Sequence, residues 1–281
     1  MALGIAPALT ARRPRFYPPA VDIHSLNGKR AIVCGSTQGI GRAAAIDLAN
    51  RGASITLFAR DREKLERVRG LLPGQGHEVL VADFADNAAV AEAAASHVAA
   101  RGIVHILVNN TGGPPGGPIV EAEPEDFLDA FRAHLVNNQL LARTVLPGMK
   151  EAGYGRVINV VSTSVKEPIA GLGVSNTIRA SVAGWAKTLA GEVARFGVTV
   201  NNVLPGYTKT QRLESIVAAR AKATGRDPES IAADMIAVVP AGRFGEAWEI
   251  AAAVGFLASP AGGYITGVSL PVDGGRVSAL S

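Results

Sequence analysis

Short apolar runs alternate along this chain with segments whose apolar residues recur every three or four positions, and that alternation leaves few folds open to it. The run ahead of Gly35, then Ser54–Ala59, Glu78–Ala82, Ile103–Asn109, Arg156–Ser162, Thr199–Leu204 and Gly267–Val272, read as strands. Helical spacing fills the gaps at Gly39–Asn50, Asp61–Leu71, Asn87–Ala100, Pro124–Met149, Val174–Arg195 and Ala247–Leu257. Strands joined through helices pair in parallel by right-handed crossovers. The predicted class is therefore α/β, a single Rossmann-like, doubly wound parallel sheet of about seven strands with helices on both faces. Ligands of such sheets lie beyond the carboxyl ends of the strands, so candidate site residues are those that follow strands.

The first of these junctions is the most specific. Lys29 to Arg42 reads Lys-Arg-Ala-Ile-Val-Cys-Gly-Ser-Thr-Gln-Gly-Ile-Gly-Arg, an apolar run broken by three glycines and continued by an Ala-rich helix. Gly35, Gly39 and Gly41 let the backbone press against a pyrophosphate, while the helix N-terminus presents N–H groups and partial positive charge. Ser36, Gln38 and Ile40 share that loop, so Gly35–Gly41 is a candidate dinucleotide cradle. At the end of the second strand an acid would bind the free 2′-hydroxyl of NAD. This chain has Ala59 followed by Arg60, with Arg62 nearby, a fork suited to a 2′-phosphate, which favours NADP(H) over NAD(H). Asp83 and Phe84, after the third strand, are candidates for adenine contacts, and Asn109-Asn110-Thr111-Gly112 ends the fourth.

Composition excludes other classes. The 281 residues, 48% hydrophobic and 19% charged, suit one globular domain over residues 27–281, preceded by an extended arm over 1–26. The net charge is only +4, and the basic run Arg60–Arg69 is interleaved with Asp61, Glu63 and Glu66, as on a solvated helix, so no nucleic-acid partner is expected. Cys34 is the single cysteine; it forms no intramolecular disulfide and is consistent with a reducing cytoplasm. No apolar stretch reaches the roughly 18 residues of a membrane span, and no signal peptide opens the chain. His24, His77, His97 and His105 are scattered without metal-ligand spacing, so no metal is expected.

Taken in order, Gly35-x-x-x-Gly39-Ile40-Gly41, Asn109-Asn110-x-Gly112, Ser162, Asn201 with Pro205-Gly206, and Val272-Asp273-Gly274-Gly275 resemble the short-chain dehydrogenases/reductases over roughly residues 27 to 276. With Gly242-Arg243-Phe244-Gly245, the likeness is to the 3-oxoacyl-carrier-protein reductase branch. The resemblance implies a seven-stranded sheet, a nicotinamide cofactor, a small-molecule substrate, and a homo-oligomer, tetramer or dimer, assembled through the long fourth and fifth helices. It places Thr210 against the carboxamide of the nicotinamide.

The pattern breaks where that family keeps its chemistry. The family carries Tyr-x-x-x-Lys thirteen residues after its serine; counting from Ser162 reaches Ser175-Asn176-Thr177-Ile178-Arg179. None of the four tyrosines has lysine four positions on. A phenol can be lowered toward working pH by a neighbouring ammonium, and a serine hydroxyl is a far weaker acid. Losing a general acid costs about 10²- to 10⁴-fold in rate. Arg179, one helical turn from Ser175, is a candidate to hold the nicotinamide ribose or a carboxylate-bearing substrate. Replacement proton donors are Lys166, Tyr207 and His134, with Lys209 beside Tyr207; His134 maps to the family's relay asparagine, with Asn137 and Asn138 one turn on. Gln211–Val239 stands where related enzymes have a substrate lid, its apolar residues placed to close over an acyl or cyclic substrate and its basic ones, Arg212, Arg220, Lys222 and Arg226, to receive an anionic group. Two readings remain open. One is an NADP(H)-dependent oxidoreductase acting on a carbonyl or alcohol with a non-standard relay. The other is a nucleotide-cofactor-binding protein without redox turnover, or a non-redox enzyme on the same fold.

Overall fold

The computed structural model describes residues 22–279. Strands β1 (Arg30–Cys34), β2 (Ser54–Ala59), β3 (Glu78–Val81), β4 (Ile106–Asn109), β5 (Gly155–Val160), β6 (Val198–Pro205) and β7 (Ser269–Val272) form one parallel sheet in the order β3-β2-β1-β4-β5-β6-β7. The order reverses between β1 and β4, which opens a crevice at their carboxyl ends.

Alternate residues of each strand face opposite sides, and both sides are dry. On one, Val33, Leu57, Val108, Ile158 and Val203 pack under α1 (Gly39–Asn50) and α9 (Ala247–Ala258). On the other, Ile32, Phe58, Leu107, Val157 and Val200 meet α3 (Asn87–Arg101), α5 (Asn137–Glu151) and α6 (Gly173–Val193). Trimming a fully buried member such as Leu57 or Leu107 to Ala is worth about 2–5 kcal/mol. The second face also carries a row of amides near the carboxyl ends. Asn109 Nδ2 donates to Asn159 Oδ1 (2.8 Å), Asn159 Nδ2 to Asn202 Oδ1 (2.9 Å) and Asn202 Nδ2 to Ser269 Oγ (3.1 Å), each pair in register across β4, β5, β6 and β7.

Three segments differ most from the sequence reading, beyond shifts of one or two residues at other element ends such as Val160 for β5 and Ser269 for β7. The fourth strand begins at Ile106 rather than Ile103, because the Arg30 side chain takes the Ile103 carbonyl (Nε to O, 2.8 Å) and His105 Nδ1 accepts from Arg30 N (3.1 Å). The helix expected over Pro124–Met149 is interrupted: α4 (Pro124–Phe131) leads into a π-helical turn, Arg132–Val136, before α5. Side chains invade the helix backbone there. Asn87 Nδ2 reaches the Arg132 carbonyl (3.0 Å), and Asn137 Nδ2 reaches those of Phe84 (2.7 Å) and Ala133 (3.2 Å). Of the expected N-terminal arm, residues 22–26 belong to the body: Leu26 is fully buried, its N–H donates to Arg51 O (2.7 Å), and Ile23 O accepts from Ala261 N (3.0 Å). The rest of that arm lies outside the described residues.

The remaining helices are α2 (Arg62–Arg69), started by Asp61 accepting from Lys64 N, and the pair α7 (Gln211–Thr224) and α8 (Pro228–Ala237). Gly225, in the left-handed region, ends α7, and Asp227 caps α8. Leu213, Ala221, Ile231 and Met235 give this pair a small core of its own, joined to Tyr207 and Phe244.

Candidate active site

The glycine turn after β1 is a cradle defined by what cannot fit in it. Gly35 (φ 58°) and Gly39 (φ 53°) adopt left-handed angles. A Cβ on Gly41 would overlap the Gly35 carbonyl and stand 2.7 Å from Asn110 Nδ2, and that amide itself donates to the carbonyls of Cys34 and Gly35 (3.3 Å each). The first turn of α1 therefore closes directly onto the end of β4. Opposite it, Thr210 caps α7, accepting from Leu213 N, and its Cγ2 would lie 3.3 Å from a Cβ on Gly39. The lid helix starts against the glycine loop.

Between them lies a cleft of about 560 Å³, walled by Gly35, Gln38, Gly39 and Ile40 on one side, Asn110 and Gly112 at its base, and Pro205, Gly206 and Thr210 on the other. Ser162, Ser175, Arg179 and Tyr207 also line it, so the structure gathers these sequence candidates at one place. Others stand apart. Ser36 lies beneath the loop, its hydroxyl accepting from Phe58 N (3.0 Å), and is fully buried rather than facing the cleft. Arg60 is an exposed side chain at the end of β2, 3.6 Å from Asp83 at the end of β3. Phe84 stacks edge-on against Phe58 at 5.0 Å. Lys166 follows a 3-10 turn after Ser162 and does not line the cleft; Lys209 is held in an ion pair by Glu246 on the outer side.

His134 sits in the π-helical turn as a nearly buried residue behind the cleft wall. Its Nδ1 is 2.6 Å from Thr111 Oγ1. Burial, and then the nearby charge of Arg179, hold its pKa down to about 2 against the opposing hydrogen bond to the Gly112 backbone, so it is neutral at working pH. Asn137 turns toward Phe84 instead of the cleft. Burial pushes the Cys34 thiol up, which removes it as a nucleophile.

Where the family resemblance implies a tyrosine and a lysine, this chain has Ser175 and Arg179. Ser175 and Arg179 lie one turn apart on α6, both buried and both on the cleft wall. Ser162 Oγ accepts from Ser164 N (3.1 Å), which leaves its hydroxyl proton free to point into the cleft. Arg179 Nη1 donates to Val160 O (3.2 Å); burial, and next the charge of Arg212, lower its pKa to about 10, and it stays cationic. Tyr207 packs edge-on to Phe244 (6.4 Å), with the Arg276 guanidinium 4.9 Å over its ring.

The comparisons agree with this geometry. A family model described as Enoyl-(Acyl carrier protein) reductase, of the short-chain alcohol dehydrogenase type, matches residues 35–276. The chain belongs to the short-chain dehydrogenase/reductase family. Among curated relatives of this oxidoreductase are the 3-oxoacyl-[acyl-carrier-protein] reductases FabG of Haemophilus influenzae, 34% identical over 250 residues, and of Vibrio cholerae, 36% identical over 253. Each alignment covers 89% of this chain and 98% of the relative. Among solved structures, the L-sorbose reductase from Gluconobacter frateurii, complexed with NADPH and L-sorbose, superposes with a TM-score of 0.85 at 30% identity, over 92% of this chain and all of that one. YwfH, an NADPH-dependent reductase involved in bacilysin biosynthesis, gives 0.85 at 28% identity, over 90% and 99%.

Sequence reasoning missed several parts of this dehydrogenase/reductase site. Thr37 and Gly113 line the cleft. So does Arg212, which the sequence reading named with three other basic residues of the lid and did not single out. Arg276 reaches back from beyond Gly275 to donate to Thr163 Oγ1 (3.0 Å). The doubled glycine Gly112-Gly113 and the position of Arg212, two residues past Thr210, were the available signals.

Proposed function

We propose that the protein is an NADP(H)-dependent reductase of a carbonyl compound, or dehydrogenase of the matching alcohol, similar to 3-oxoacyl reductases but with a rebuilt proton relay. The observation that carries this reading is the fit of the cradle: Gly35, Gly39 and Gly41 leave no room for side chains where a diphosphate would approach the start of α1. Gln38 and Ile40 would flank it, and Asn110, Gly112, Pro205, Gly206 and Thr210 would surround the nicotinamide; Asp83 and Phe84, beside Arg60 and Phe58 and outside the cleft lining, would meet the adenine. Arg60, next to no acid in β2 and paired only loosely with Asp83, would take a 2′-phosphate. The names of two structural neighbours, both of which mention NADPH, support that choice.

When bound, the nicotinamide supplies or accepts the hydride. The hydroxyls of Ser162 and Ser175 orient the substrate oxygen by donating to it. The proton that oxygen needs comes from Tyr207 Oη. Among the described residues of the cleft wall the other ionisable side chains are Arg179 and Arg212, cations tied to the carbonyls of Val160 and Pro114, which leaves Tyr207 as the phenol of this wall. Neutral, enclosed His134 buttresses Thr111 rather than donating.

Fluorescence titration with NADPH and NADH, followed by loss of NADPH absorbance with a panel of ketones, 3-oxoacyl thioesters and quinones, tests the reading. Binding and turnover are expected. Arg60→Ala should weaken NADPH about tenfold and leave NADH unchanged; equal effects would discard the 2′-phosphate assignment, and firm binding with no turnover on any substrate would discard the redox step. Self-association into a dimer or tetramer is supported by exposed Val120, Leu128 and Phe131 around α4 and Trp248 on α9, and is read by light scattering. Among the described residues no helix is long and apolar enough to cross a membrane, and a cytoplasmic location fits the lone reduced cysteine.

A further inference from the structure

Arg179 is more than nine-tenths buried, yet the one hydrogen bond it makes among the described residues is to the Val160 carbonyl. A guanidinium has five N–H donors, and one enclosed without a carboxylate is a costly arrangement unless an anion completes it. The charges around it do not help. The charge that acts on it is that of Arg212, and among the described residues the cleft wall contains no Asp or Glu. Arg212, exposed at the rim in the first turn of α7, is fixed by Nη2 donating to Pro114 O (2.7 Å).

The two guanidinium groups converge. A Cβ placed on Gly113 would stand 3.4 Å from Arg212 Nη2 and 3.5 Å from Arg179 Nη2, so both forks close on the same bare stretch of backbone after β4. Two like charges are held together there, one from the floor of the cleft and one from the lid. Both residues line the cleft together with Ser162 and Ser175, and each makes a single hydrogen bond among the described residues, to a backbone carbonyl.

We infer that Arg179 and Arg212 form a carboxylate-binding clamp at Gly113, and that the substrate is a carbonyl compound, or its alcohol, carrying a free carboxylate. The inference rests on the reading that this cleft is the reaction site and specifies the class of molecule it takes. Planar forks suit a carboxylate through paired hydrogen bonds, and a site built to hold such a group rejects the analogue that lacks it. Because Arg212 belongs to α7, an anion held by both residues also ties the lid to the floor of the cleft. The family pair, a phenol and an ammonium, is thus exchanged for an anchor on the substrate.

Calorimetry on the full-length protein, with and without NADP⁺, separates the possibilities; the probes are 4-oxopentanoate and 5-oxohexanoate against their methyl esters. The acids are expected to bind at least tenfold more tightly than the esters, with the difference abolished in Arg212→Met and in Arg179→Met and NADP⁺ affinity unchanged in Arg212→Met. Acids and esters binding alike, with NADP⁺ bound normally, would overturn the clamp and leave the oxidoreductase reading standing. An Arg212→Met variant that loses NADP⁺ affinity and keeps the preference for acids would assign the pair to the coenzyme's diphosphate and overturn it equally. Acid preference in a protein that never binds NADP⁺ would uphold the clamp and sink the cofactor reading. Should Arg179→Met fail to fold, Arg212→Met and Arg212→Gln decide the matter.

Discussion

The two walls of the cleft are made of different material. On the β1 side the surface is backbone: Gly35, Gly39 and Gly41 define it by absence of side chains, and Asn110 fastens it to β4 through two main-chain carbonyls. On the β5 and β6 side the surface is side chain: Ser162, Ser175, Arg179 and Tyr207 line it. A wall of backbone can be altered only by breaking the turn that makes it. A wall of side chains can be rewritten while α6 keeps Val174, Ile178 and Val182 in the core, whatever stands at positions 175 and 179.

That contrast is sharpest in the size of the effects expected from single changes. Tyr207→Phe should lower kcat by about 10²-fold or more with little change in NADPH affinity, the signature of a lost proton donor; an unchanged kcat would move the acid elsewhere. Gly41→Ala should act on the other wall and in the other parameter. It should weaken NADPH binding about 100-fold or destabilise the fold outright, since the added methyl meets the Gly35 backbone rather than a yielding side chain; titration and thermal unfolding read both.

His134 offers a third test, of stability rather than binding. Its folded-state pKa of about 2 lies below the ordinary value of 6.5, so the unfolded chain binds the extra proton first. The stability this contributes is complete above pH 6.5 and is lost as pH falls through the window toward 2. Urea unfolding from pH 7 to pH 5 should show His134→Gln losing less stability than the parent, by up to about 1.4 kcal/mol per pH unit. Parallel slopes would mean the imidazole is not enclosed as described. The smallest effect is expected from restoring the family pair, Ser175→Tyr with Arg179→Lys. Turnover should change no more than about threefold upward, because a pocket shaped around serine and a planar fork does not hold a phenol at hydrogen-bond distance. A gain of 100-fold would show that both walls were equally ready for the family's chemistry.

The backbone wall was also the legible one. Glycines spaced as Gly-x-x-x-Gly-x-Gly after an apolar run announce their conformation locally, and β2 was read to its last residue because Ile55, Leu57, Phe58 and Ala59 are apolar and buried on both faces. What escaped the sequence depends on groups far apart in the chain. The π-helical turn at Arg132–Val136 arises from Asn87 and Asn137 reaching helix carbonyls, and the helical apolar period runs through it unchanged. Arg212 and Arg179 converge at Gly113 only because the lid folds back over the end of β4; a count of basic residues in the lid contains no such meeting. Lys166 looked apt from its distance to Ser162, but the intervening 3-10 turn takes it off the cleft wall.

The amide row through Asn109, Asn159, Asn202 and Ser269 works as a gauge for assembly. A strand that docked one position too high or low would strand these polar groups among aliphatic neighbours at about 1–3 kcal/mol apiece, so misaligned collapse is disfavoured at several rungs at once. Correct docking levels the tips of β4, β5 and β6, and the height at which Asn110, Ser162 and Gly206 emerge is thereby set inside the sheet, before any ligand arrives.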